Sequence, residues 1–359
     1  MKNSKNKLSN NNMNLKKMNR INVNEMILLL NPNSQGGNTG KTWIATYNKV
    51  KEFLPKDHRI IFTKKSNDGI FITRKLLRKG YKNIVAIGGD GTINEIANGF
   101  FGLKSQNKHI KDFEKFNLDS RLKPVNPKGI MYVIPSGSRN VLARSLELKH
   151  QGVGALMRIR HMKRRKMDVI AAAITDKDTP SLTHNRIIMN AAEIGVGAEI
   201  IDRSKKVRGK IKNRFVSTIA SIVATLPSYN SNECDIVIDR DKKIFSKMTM
   251  GIVANGRFLG GGFKAAPRAK FSDGLMDIII LTNSGSFKMI DKLIELKSTS
   301  TYKFEDDILY YQASEVKFLP KERNVTVSVD GEPIGMLPAI FKSYHNALTI
   351  KTETHSSRI

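Results

Sequence analysis

The residues best suited to chemistry are the run Gly88-Gly89-Asp90-Gly91-Thr92. It follows a short apolar stretch, 84–87, and precedes a helical pattern, 93–101, so it reads as the turn between a strand and a helix. Glycines at the carboxyl end of a strand let backbone N–H groups come close to an anion. The helix amino terminus that follows adds a favourable dipole. The acid in the middle calls for a metal ion or a proton, because a bare carboxylate repels phosphate. As an ordinary turn the segment would need Asp90 only as a cap. Two glycines before the acid and one after exceed that need, and phosphate binding is the preferred reading. The run is not a dinucleotide fingerprint, because Asn94 stands where G-x-G-x-x-G needs its last glycine.

Two further loops fall at the same place in a strand–helix unit. Asn31-Pro32-Asn33-Ser34-Gln35-Gly36-Gly37 follows the apolar stretch 27–30, and Pro135-Ser136-Gly137-Ser138-Arg139-Asn140 follows 130–134. Gly40-Lys41-Thr42 invites a P-loop reading that fails on spacing, since Gln35 occupies the position of the first glycine. Alone, the 31–37 loop is as readily a flexible turn. Three such loops at one edge of an α/β sheet make a nucleotide site.

Late in the chain, Val329-Asp330-Gly331-Glu332 ends a strand-like stretch. On a continuing strand Asp330 and Glu332 would share a face, and such a pair can hold a general base within reach of a substrate hydroxyl. Ser272-Asp273-Gly274 precedes another strand at Leu275, and Gly260-Gly261-Gly262 is a permissive turn. Taken singly, each Asp-Gly reads first as a hairpin turn. The seven histidines form no H-E-x-x-H, and no G-x-S-x-G elbow exists.

These loops need a scaffold. From residue 26 the chain alternates apolar strands at 27–30, 59–63, 84–87 and 130–134 with helical patterns, which indicates a parallel sheet with helices on both faces. Residues 104–127 are polar, charged and proline-interrupted, and read as a surface insertion. Beyond about residue 165 the texture changes to short strand-like segments separated by glycine turns, with helices expected near 205–225 and 286–298. This is a mainly antiparallel, β-rich second domain. The expected division is a basic, Asn/Lys-rich disordered tail (1–24), an α/β domain (25–150), a β-rich domain (151–350) whose last strand can return to the first, and a short tail (351–359).

Composition narrows the class. The 359 residues carry 61 Lys plus Arg against 32 Asp plus Glu, a formal net charge of +29, so polyanions are natural partners. The single cysteine, Cys234, excludes an intramolecular disulfide and a multi-cysteine zinc site. No apolar run reaches the ~18 residues of a membrane span, and no secretory signal is evident; a cytoplasmic protein is expected.

In order along residues 25–350, these motifs resemble the catalytic domain of the diacylglycerol kinase family, the lipid kinases that include sphingosine and ceramide kinases and bacterial diacylglycerol kinases. The N-P-x-S loop, GGDGT, the P-x-G-[ST]-x-N segment, Gly195-Val196-Gly197-Ala198, the 272–275 turn and the late D-G-E carry the resemblance. It implies two domains with the active site in the cleft between them, ATP on the first and the lipid pocket in the second. By resemblance, Asn31, Pro32, Asn33, Ser34, Thr63, Gly89, Asp90, Gly91, Thr92, Ile93, Asn94, Glu95 and Ser138 contact the nucleotide. Asp90 acts on the phosphates through Mg²⁺, and Glu332 accepts the hydroxyl proton, helped by Asp330. A structural Mg²⁺ is implied at the Asp273 carboxylate and the carbonyls of Lys270 and Leu275. Two departures are Ser138, where the family often has Thr, and Val141, where it often has Asp. The second leaves the substrate open between diacylglycerol-like and sphingoid alcohols.

Two basic clusters, within 158–166 and 203–214, the latter beside the apolar stretch 216–226, suit docking on an anionic membrane surface. A solvated basic face explains them equally well. A NAD kinase sharing GGDGT and a non-enzymatic nucleic-acid binder are the competing readings. The late D-G-E argues against the first. The absence of aromatic residues among the basic clusters argues against the second, so no specific nucleic acid is expected. A homodimer is left open.

Overall fold

The computed structural model describes residues 22–103, 112–207, 225, 229–282, 307–321 and 324–353. The expected helices near 205–225 and 286–298 and the first tail fall largely outside these residues. Strands β1 (Met26–Leu30), β2 (His58–Phe62), β3 (Asn83–Gly88) and β4 (Ile130–Pro135) pair in parallel in the order β2-β1-β3-β4. The side chains of β1, β3 and β4 are mainly apolar on both faces because helices cover both, whereas β2, at the edge, begins with His58 and Arg59. Ile27, Leu29, Ile84, Ala86 and Met131 pack against helices α2 (Asp68–Arg78) and α3 (Asp90–Gly99). Leu28, Leu30, Val85, Ile87 and Ile134 pack on the other side, against α1 (Asn38–Val50) and α5 (Gly152–Met157). Between β4 and α5 lies the short helix α4 (Val141–Ser145).

The later strands are mainly antiparallel. They are β5 (Lys163–Thr175), β6 (Thr183–Ile188), β7 (Ala191–Gly195), β8 (Asn232–Ile238), β9 (Lys242–Ala254), β10 (Met276–Thr282), β11 (Ile308–Ala313), β12 (Glu315–Pro320), β13 (Thr326–Val329) and β14 (Glu332–Thr352) among the described residues, with helix α6 (Val196–Val207) after β7. Strand β14 joins the two parts. It leaves the Asp330-Gly331 turn, runs antiparallel to β5, and ends parallel to β4 with Ile350 opposite Met131. One 21-residue strand therefore connects the late D-G-E to the parallel sheet.

The segment 112–127 departs from the surface-insertion reading. Phe113 is buried and packs with Phe116 and Leu118 against Ala173, Ile340 and Leu319. Lys317 and Tyr344 reach over to donate to the carbonyls of Glu114 and Asp119. Its aromatic residues, easily overlooked among the charges, attach it to the β-rich part. Among the described residues no helix is long and apolar enough to cross a membrane.

Candidate active site

The three loops meet where the parallel strands end. In the first, Gln35, Gly36 and Gly37 all hold positive φ (56°, 68° and 88°), and the Gly37 N–H donates back to the carbonyls of Asn33 and Ser34, which closes the loop just before α1. Asn31 accepts from the backbone N–H of Asn33 at 2.9 Å and donates to the Thr92 hydroxyl at 3.2 Å, fixing this loop to GGDGT. Gln35 Nε2 donates to the Ser136 carbonyl at 2.9 Å, fixing it to the third loop as well. A β-carbon on Gly137 would stand 2.3 Å from Gly89 Cα, so the second and third loops touch backbone to backbone. Asn140, itself at positive φ, accepts from Gly137 N–H at 2.9 Å and donates to the Gly137 carbonyl at 3.0 Å, locking that loop's shape.

Together these loops line a polar pocket with Asn31, Asn33, Ser34, Thr63, Gly89, Asp90, Gly91, Thr92, Glu95 and Ser138, and Glu332 forms part of the same wall. Three residues expected at the nucleotide do not line it. Ile93 is fully buried in the core. Pro32 holds α1 through its carbonyl, and Asn94 faces the β-rich part. On a helix, consecutive residues point about 100° apart, so a contiguous motif cannot line one wall throughout.

Asp90 does not cap its own helix. It is the first residue of α3, and its Oδ1 accepts from Leu142 N–H at 3.1 Å, at the start of α4. Its other oxygen has no hydrogen bond among the described residues. Glu95 accepts from the N–H groups of Asn67 and Gly69 at the start of α2. Burial outweighs those bonds and holds its carboxyl above the usual range, with Glu332 adding repulsion. The Arg186 guanidinium of β6 opposes both acids.

The D-G-E segment corrects a sequence expectation. Asp330 and Gly331 are the two residues of a hairpin turn between β13 and β14, both left-handed (φ 47° and 83°), so Asp330 and Glu332 do not share a strand face. Their tasks separate accordingly. Asp330 Oδ1 accepts from Asn190 and Ala191 N–H at 2.9 and 3.0 Å, and Oδ2 accepts from Met189 N–H at 2.9 Å and Asn94 Nδ2 at 2.5 Å. Asp330 is thus a clamp that ties the turn to β7 and to α3. Asn98 strengthens the tie by accepting from Ile187 N–H at 2.8 Å and donating to its carbonyl at 3.0 Å. Glu332, held at the exposed end of the clamp, directs its Oε1 to within 2.7 Å of where a β-carbon on Gly91 would sit.

A second, largely apolar pocket adjoins the first and shares Asp90, Arg139, Asp330 and Gly331 with it. Val141, Met189, Ile200, Met250, Phe263 and Leu281 are among its walls, and its empty volume is about 1040 Å³ including the open mouth. Sequence reading did not single out Arg139 or Glu193, which also lines it. The available signal was an acid inside the otherwise apolar run 191–198.

The Asp273 turn lies outside both pockets. Asp273 Oδ1 accepts from Leu275 N–H at 3.1 Å, and Asp277 nearby is buried, its carboxyl pushed up to about 7 by burial and by Asp273. Among the described residues no group of three or more His, Cys, Asp or Glu side chains is placed so that it could hold a metal ion. A cation here would rest on one carboxylate plus backbone carbonyls, an all-oxygen donor set of the kind Mg²⁺ accepts.

Residues 25–172 match the diacylglycerol kinase catalytic domain, and residues 190–352 match the YegS C-terminal NAD kinase beta sandwich-like domain. A diacylglycerol kinase of Staphylococcus epidermidis is 26% identical over 294 residues, covering 81% of this chain and 80% of the relative. A diacylglycerol kinase of Staphylococcus aureus is 25% identical over 283 residues, covering 78% and 77%. Among solved structures, a diacylglycerol kinase from Bacillus anthracis aligns with a TM-score of 0.63 at 18% identity over 92% of this chain and 97% of the other, which establishes the shared two-domain fold.

Proposed function

We propose, from the premise that this chain belongs to the diacylglycerol kinase catalytic-domain family of lipid kinases, that it transfers the γ-phosphoryl group of ATP to the hydroxyl of a diacylglycerol-like lipid alcohol in a Mg²⁺-dependent reaction. The observation that carries this reading is the Glu332 carboxylate against Gly91, on the border of a glycine-lined polar pocket that adjoins an apolar one. Glycine at 89 and at 137 lets the two loops close on each other at the pocket wall, since a β-carbon at Gly89 would meet Gly137 Cα at 3.2 Å. ATP occupies the polar pocket, the acyl chains occupy the apolar one, and the accepting hydroxyl lies at their shared border.

The chain's residues divide the work. The N–H groups of Gln35 and Gly36 and those of GGDGT orient the phosphates, while Asn33, Ser34 and Gly37 spend theirs on holding the loop and the Asn31–Thr92 bond keeps the loops in register. The open oxygen of Asp90 is the ligand we assign to the Mg²⁺ carried with ATP, which would neutralise charge on the transferring group. Glu332 takes the hydroxyl proton as the oxygen attacks the γ-phosphorus and the bond to the departing ADP breaks, while Arg186, coupled to Glu332, and Arg139, at the pocket border, supply positive charge. The Asp273 turn, with the carbonyls of Lys270 and Leu275, is assigned the structural Mg²⁺.

The exposed side chains of 163–166 at the start of β5 are four consecutive bases, and we assign them to contact with an anionic membrane surface on which the lipid is presented. Residues 208–214 of the second basic cluster lie outside the described residues. The test is γ-labelled ATP offered with a panel of lipid alcohols and, separately, NAD, followed by product separation. Label on a glycerolipid hydroxyl supports the reading. Label on NAD alone overturns it in favour of a NAD kinase.

A further inference from the structure

The apolar pocket contains one acid that the proposed chemistry does not use. Glu193 sits on β7 between Ser328 of β13 and Ile252 of β9, and lines the apolar pocket but not the polar one. The other charged groups of that pocket, Asp90, Arg139 and Asp330, all lie at the border it shares with the polar pocket. Glu193 therefore stands one step further into the lipid side than the position assigned to the accepting hydroxyl.

Its surroundings differ from those of the other two acids. Asp330 is saturated by its donors, and Asp90 holds Leu142. The Glu193 carboxyl has no hydrogen-bond partner among the described residues. Its electrostatic neighbours are Arg139, which attracts it, and Asp330, which repels it. On α6, Glu199 and Arg203 interact with each other. Its cross-strand partners are Ile252 on β9 and Ser328 on β13, and Met250 shares the pocket wall; none of the three carries a charge.

We propose that Glu193 is a specificity-determining residue of the lipid site, whose carboxyl hydrogen-bonds the ester carbonyl next to the accepting hydroxyl and so selects a neutral acylated alcohol over a cationic sphingoid base. The inference rests on the lipid-kinase reading above and narrows its substrate class. A carboxyl inside an apolar wall is held neutral; burial pushes Glu193 up to about 8. In that form it donates an O–H, which a carbonyl accepts and an ammonium cannot. The nearby Arg139 guanidinium repels an ammonium directly. Were Glu193 ionised, Arg139 would already neutralise it. At Glu193, then, the ester carbonyl meets a donor, whereas the ammonium meets the charge of Arg139.

The test uses the full chain in mixed micelles with labelled ATP and measures lipid KM, kcat and ATP KM for wild type, Glu193→Gln and Glu193→Met. The amide of Gln keeps a donor, whereas Met keeps the volume without one. With a diacylglycerol, Glu193→Met should raise the lipid KM about 10-fold, the worth of one hydrogen bond, and leave kcat and ATP KM within about 3-fold; Glu193→Gln should stay close to wild type. With a dialkyl ether glycerol, which has the hydroxyl but no carbonyl, wild type and Glu193→Met should have equal KM. Sphingosine should be a poor substrate for wild type. A lipid KM unchanged by Glu193→Met with the diacylglycerol overturns the proposal, as does an equal loss with the ether lipid or a preference for sphingosine. A wild-type chain that phosphorylates no lipid refutes the kinase reading itself and the proposal with it.

Discussion

Asp330→Asn isolates the clamp that holds the D-G-E turn. The substitution is isosteric, and Asn tolerates the left-handed conformation at φ 47° at least as well as Asp, so the turn itself is not disfavoured. What changes is the hydrogen bonding. The new amide can keep one oxygen toward Asn190 and Ala191 N–H, but its NH₂ then faces Met189 N–H and Asn94 Nδ2, both donors. Two donors lose their acceptor at a cost of about 1–3 kcal/mol each, which places the destabilisation at roughly 2–6 kcal/mol. Burial holds the Asp330 carboxyl up to about 6 against its four donors, so the carboxylate is the form present at pH 7.5, where the measurement belongs. Denaturant unfolding gives the loss directly. Turnover should fall more than stability alone explains, because Glu332 is two residues along from the loosened turn, and a misplacement of about 1 Å can cost about 10²-fold in rate. Asn94→Ala, which removes one donor of the same set, should combine with Asp330→Asn non-additively. An Asp330→Asn chain within about 0.5 kcal/mol of wild type, with normal turnover, would refute the clamp.

Further outcomes follow from the same geometry. Gly137→Ala places a β-carbon 2.3 Å from Gly89 Cα, which forces the second and third loops apart; ATP KM should rise at least about 10-fold with a loss of about 1–3 kcal/mol in stability, read by enzyme kinetics and denaturation. Glu193 titrates near 8 in the folded chain against about 4.5 as its ordinary value, so between these values the unfolded chain ionises while the native one stays neutral. Native stability should therefore fall as pH rises from about 4.5 to 8, and Glu193→Gln should remove that component of a pH series of unfolding curves. Cys234 is fully buried and its thiol is pushed up to about 12 by burial, so a thiol reagent at pH 8 should label the chain only as it unfolds.

Much of the nucleotide side is written locally in the chain. Apolar strands followed by glycine-bearing loops force a parallel sheet whose loops converge, and Asn31, Gly89 and Thr92 meet as their spacing implies. The long-range ties are not local. Nothing near Asn94 indicates that it will turn toward Asp330, a residue 236 positions away, because that contact depends on how β14 returns to the parallel sheet. The same holds for Asp90, whose carboxylate serves α4 rather than its own helix. Alternation along a strand places Asp330 and Glu332 on one face. The two left-handed residues that separate their tasks become evident only once the hairpin is seen. The 104–127 segment looks like a surface insertion because charges outnumber apolar residues, yet Phe113 and Phe116 suffice to anchor its described part.

The role proposed for Glu332, clamped beside Gly91, is to accept the proton of a lipid hydroxyl as phosphate is transferred. Its most direct test is γ-phosphoryl transfer from labelled ATP to a diacylglycerol by wild type and by Glu332→Gln, with nucleotide binding measured on the same samples. The expected result is transfer by wild type, a loss of at least about 10²-fold in kcat for the variant, and nucleotide affinity within about 3-fold of wild type. Near-normal turnover by Glu332→Gln would contradict it.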